Sequence, residues 1–144
     1  MFNLSTYTDY LAACSATVFG KVARSILAGS IGVVVLVFFL TLVVQPNTIS
    51  KLLPFIVAFN TALAGYMVLD ITRDRIKHRR TASIVSGSAA LLLAALAVNL
   101  IFIQVSGYAL ISFEELPFLL LVSILSGGLG GMLAIKYFTL NPQH

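Results

Sequence analysis

Charged side chains are scarce in this chain. Asp, Glu, Lys and Arg make up 10% of its 144 residues, where a soluble domain carries about 25%. Apolar residues take their place at 59%, with a mean hydropathy of +1.02. So few polar groups cannot cover a water-facing surface, which excludes an ordinary soluble domain and points to an integral membrane protein. Cysteine occurs once, as Cys14, so an internal disulfide and a cysteine-built metal site are both excluded. The opening stretch MFNLSTYTDYLAAC has no basic segment ahead of an apolar core, so a signal peptide is not expected there. The sequence also lacks a glycine-rich phosphate loop, a His–Glu metal motif and any pair of carboxylates within an apolar run. The expectation is therefore a non-catalytic protein with no cofactor and no metal. Net charge is +4, but in a membrane protein excess Lys and Arg report topology, so nucleic acid is not an expected partner.

Long apolar runs are what the chain does have. About 20 mostly apolar residues cross a bilayer as a helix. Four segments reach that length: 25–44, 52–71, 82–103 and 116–135. Lipid offers no partner to bare backbone groups, and the alternating polarity of a barrel strand is missing, so all four are expected as helices. Residues 1–24 precede them, and Leu4, Tyr7, Leu11, Cys14 and Val18 recur there at spacings of three and four. That pattern predicts an amphipathic helix lying in the membrane interface. The expected fold is all-α integral membrane, with hairpins at 25–71 and 82–140, a basic loop at 72–81 and a short tail at 141–144.

Eight of the nine basic residues fall on one side of this plan. Lys21 and Arg24 precede the first run. Arg73, Arg75, Lys77, Arg79 and Arg80 lie between the second and third, and Lys136 follows the fourth. Lys51, Glu114 and Glu115 lie on the other side, where adjacent carboxylates are expected to be simply solvated. The positive-inside rule then places both termini and the basic loop in the cytoplasm; the expected membrane is a bacterial inner one.

Parts of the sequence occur twice. SILAGS at 25–30 matches SIVSGS at 83–88, and Ile-Ser followed by Leu-Pro-Phe occurs at 49–55 and again at 111–118. The matches keep their order, which predicts two tandem hairpins. Each hairpin has an even number of spans, so the halves share one orientation, and the axis relating them is expected along the membrane normal.

Small residues predict where helices touch, because lipid supplies no hydrophobic drive between them. Gly127 and Gly131 form one G-x-x-x-G pair; Ser83 with Gly87 and Ser25 with Gly29 repeat the spacing. Asn60 and Asn99 are the intramembrane amides, expected either to hydrogen-bond another helix or to face a wet cavity. Asp70 ends the second run, where it either pairs with Arg73 one turn on or contacts a headgroup or proton. The basic residues Arg73, Arg75, Arg79, Arg80 and Lys136 suit anionic lipid, and arginine suits phosphate through its bidentate fork.

Arg24 before SILAGSIG, the Leu-Pro-aromatic openings LLPFIVAF and LPFLLLVS, and the ending IKYFTL together resemble the GtrA-like family of small four-span membrane proteins. The resemblance covers about residues 24–140. The chain departs from it at GYMVLDITRD and at Gly130-Gly131, where that family has Asn-Phe. The resemblance implies handling or translocation of polyprenyl-phosphate-linked sugars, with Arg73 and Lys136 at the phosphate. Two other roles fit the composition: a non-catalytic structural or assembly subunit of a larger membrane complex, and a pore-forming oligomer. Expected partners are membrane lipids and other membrane chains or further copies of this one.

Overall fold

The computed structural model describes residues 18–71 and 79–140. Four helices hold nearly all of them: α1 (Val18–Thr41), α2 (Pro46–Ile71), α3 (Arg79–Ser106) and α4 (Leu116–Leu140). All four are long and apolar enough to cross a membrane, with mean hydropathy between 1.9 and 2.2 over the best windows. Each coincides with an apolar run of the sequence, and no strand occurs among the described residues.

The helices overrun the expected boundaries. α1 begins at Val18, so residues 18–24 continue the first membrane helix and are not part of a separate interfacial one. The remaining residues assigned to that helix lie outside the described residues. α2 begins at Pro46, inside what reads as a turn, because proline at a first helical position lacks only an N–H that would be unpaired anyway. The Gln45 carbonyl closes that first turn by accepting from the Thr48 and Ile49 amides at 2.9 and 3.2 Å. α3 begins at Arg79, taking three residues from the expected basic loop. At its far end Gly107 adopts φ +76°, and its amide donates to Ile103 O at 3.1 Å. That left-handed conformation is why glycine ends this helix.

The helices run alternately up and down. α1 touches α2 and α3, α4 touches the same two, and α2 and α3 touch each other, while α1 and α4 do not meet. A two-fold axis exchanging α1 with α3 and α2 with α4 would turn the α2–α3 contact into an α4–α1 contact. That contact is absent, so the hairpins sit side by side with an offset and are not closed about an axis along the normal.

Three layers fill the interior. A polar and small-residue layer is flanked by two apolar ones. The larger apolar layer includes Val37, Leu53, Val57, Leu91, Val98 and Leu119, and loop residue Ile111 closes it. The smaller one holds Val68, Leu69 and Ala134 at the opposite end.

Candidate functional site

The middle layer is built from side chains too small to hold helices apart. Ser25, Thr61 and Ser126 hydroxyls lie within reach of carbonyls of their own helices, and hydroxyls of the layer also meet across helices. Ser25 Oγ lies 3.1 Å from Ser86 Oγ, joining α1 to α3. Thr61 Oγ1 lies 2.6 Å from Ser126 Oγ, joining α2 to α4. Ser83 Oγ donates to the Gly127 carbonyl, joining α3 to α4. No buried side-chain nitrogen or oxygen among the described residues lacks a partner. The layer is therefore a closed set of interhelical bonds.

The glycines predicted at helix contacts are buried there. A Cβ on Gly29 would stand 2.7 Å from Ala64 Cβ and 3.2 Å from Asn60 O; on Gly87 it would stand 3.1 Å from Gly127 Cα and 3.3 Å from Ser123 O. Gly127 and Gly131 both pack against Ser83 of α3. Sequence spacing missed three further close approaches: Gly32 on the Asn60 amide oxygen, Gly65 on the Gly127 carbonyl and Gly130 on the Ala62 backbone. For Gly130 the doubled glycines of SGGLGGM carried the signal, since adjacent glycines serve two faces of one helix.

The two intramembrane amides have different roles. Asn60 is 3% exposed. Its Nδ2 donates to Ile56 O of its own helix at 2.9 Å, and its Oδ1 lies over Gly32 of α1. Asn99 does not bond a neighbouring helix. Its Nδ2 donates to Ile111 O and its Oδ1 accepts from Ile111 N, both at 2.9 Å, so it pins the α3–α4 loop onto the bundle.

Two grooves open to the side at the end where α1 and α3 finish. One, of about 280 Å³, lies between Phe38 and Thr41 of α1 and the end of α3. The other, of about 390 Å³, lies on the opposite flank of α3 beside Asn99, Phe113 and Leu116. At the other end, the start of α1, the end of α2, the start of α3 and the end of α4 come together. Asp70, Arg79, Arg80, Lys136 and Arg24 are all exposed there. Arg73 and Arg75, and with them the pairing expected for Asp70, lie outside the described residues.

Glu115 is more than a solvated carboxylate. Its Oε2 accepts from Ser112 N at 3.2 Å, while Ser112 Oγ accepts from Glu115 N at 3.3 Å. This reciprocal capping box starts α4. Its sequence signal is Ser-x-x-Glu directly before an apolar run.

No family model, curated protein or solved structure matches this chain.

Proposed function

We propose that the protein binds a lipid bearing an anionic, phosphate-containing headgroup at its basic end and handles or translocates it across the membrane. The observation that carries this reading is the charge asymmetry of the bundle. Lys21, Arg24, Arg79, Arg80 and Lys136 occupy one end, against Lys51, Glu114 and Glu115 at the other. By the positive-inside rule the basic end faces the cytoplasm, and the membrane proposed is a bacterial inner one. The resemblance to GtrA-like proteins narrows the substrate class to polyprenyl-phosphate-linked sugars. With the middle layer closed, the path for such a lipid runs along the lateral surface of the bundle.

The same reading includes tandem duplication of the hairpin. Gly29 meets Asn60 and Ala64, which follow Leu53 by seven and eleven residues; Gly87 meets Ser123 and Gly127, which follow Leu116 by seven and eleven. Positions matched between the two halves thus make matching contacts within each hairpin. The small-residue faces that favour a role as a subunit are used up inside this chain's own bundle, so the lipid reading is preferred.

Native mass spectrometry in detergent tests it, titrating a polyprenyl phosphate against the corresponding polyprenol. The phosphate form is expected to bind more tightly. At about 1 kcal/mol per basic residue, Arg79→Ala with Arg80→Ala weakens it about 30-fold and leaves the polyprenol unaffected. Equal binding of the two lipids by the unmodified protein would end the proposal.

A further inference from the structure

The seam between α1 and α3 is tight at the basic end and splayed at the other. Ser25 and Ser86 hydroxyls touch across it, and a Cβ on Gly29 would stand 3.2 Å from Ala90 Cβ. Further along, valines and aromatics replace serine, glycine and alanine, and the helices separate. A gap of about 10 Å³ between Val34, Val37, Val98 and Phe102 widens into the groove of about 280 Å³ walled by Phe38, Ile101, Phe102 and Val105. Its far wall is set by the backbone. The left-handed turn at Gly107 brings Tyr108 back edge-on to Phe102, with ring centroids 6.4 Å apart at 62°. The crevice is apolar at its floor. Its mouth, at the helix ends, carries the hydroxyls of Thr41, Ser106 and Tyr108. Thr41 spends its proton on Phe38 O at 2.6 Å. The Ser106 and Tyr108 hydroxyls have no hydrogen-bond partner among the described residues, so both can donate outward.

We infer that this crevice is a phospholipid site. One unbranched acyl chain lies in the wedge between α1 and α3, and ester or phosphate oxygens of the same lipid accept from Ser106 and Tyr108. Three observations fit this occupant. The crevice opens sideways, where a helix bundle meets hydrocarbon. Its polarity rises toward the membrane surface, as a lipid's does. The floor is walled by Val34, Val37, Val98 and Phe102, apolar side chains against which a hydrocarbon chain end can rest. The site is at the opposite end from the basic residues and does not depend on an anionic headgroup, so it stands or falls separately from the function proposed above.

The test is native mass spectrometry of the full chain after delipidation, titrated with zwitterionic palmitoyl-oleoyl phosphatidylcholine. One tightly held equivalent is expected. Ser106→Ala with Tyr108→Phe keeps the ring contact and removes both donors, and is expected to weaken that equivalent about tenfold. Val105→Trp, at a position 80% exposed and so free of folding demands, is expected to plug the mouth and abolish the equivalent. A titration with no distinct first equivalent would overturn the inference. So would retention unchanged in both variants, or displacement of phosphatidylcholine by an equal concentration of a polyprenyl phosphate.

Discussion

At the scale of single residues, the four glycines of SGGLGGM separate by what each faces. A Cβ on Gly130 would run into the Ala62 backbone, whereas on Gly128 it would meet only Ile84 side-chain atoms at 3.6 and 3.9 Å. Backbone cannot move aside as a flexible side chain can. Gly130→Ala is therefore expected to destabilise the bundle by about 1–3 kcal/mol. Gly128→Ala should be neutral or slightly stabilising, because alanine favours helix by about 1 kcal/mol. Unfolding in mixed micelles at graded denaturing-detergent fractions distinguishes them. Asn99 supplies a second case. Alanine there strips both hydrogen bonds from the Ile111 backbone, a loss of about 1–2 kcal/mol, and amide exchange at Ile111 should accelerate. The sequence marked Asn99 as a polar residue needing a partner but could not name that partner. Ile111 is twelve residues away, and only the returning loop brings it within reach. Gly32 was equally silent, since its constraint is an amide oxygen on another helix.

Among elements, the helices themselves were the most legible feature. An apolar run of about 20 residues has no stable alternative to helix in lipid, and all four runs became helices. Their ends were less legible, because local chemistry sets them. Pro46 starts α2 where a turn was expected, and the box formed by Ser112 and Glu115 starts α4. Ser112→Ala should cost about 1 kcal/mol or less, because it removes the side-chain half of the box while the Glu115 amide keeps its bond to the Ser112 carbonyl at 3.2 Å. Glu115→Gln retains an acceptor and should cost less. Thermal unfolding followed by circular dichroism in detergent reads both, and equal losses would mean that the carboxylate charge supplies the stabilisation.

For the whole molecule, charge and packing make separate statements. The distribution of Lys and Arg fixes an expected orientation, with both termini cytoplasmic. A reporter active only in the cytoplasm should work when fused after His144 and be silent when inserted at Gly107. The reverse pattern would invert the bundle and place the basic rim outside. Packing decides how the hairpins meet. Repeated motifs suggested an axis along the normal, but the missing α1–α4 contact leaves the halves offset. That offset leaves α1 with α2 and α3 as its neighbours among the described helices, and the groove beside Phe102 opens along its seam with α3.

The sequence by itself determined the solvent, the helices, the expected orientation and the residues small enough for contact. Each follows from a property that a residue carries wherever it sits: apolar surface, charge, or the absence of a side chain. Only the tertiary structure decided which hydroxyls bond to which, that Asn99 holds a loop and Asn60 lies over a glycine, and that the α1–α3 seam parts at one end. Those features depend on how residues far apart in the chain stack across a helix pair. A one-dimensional pattern records that stacking only as spacing, without stating which helix is the neighbour.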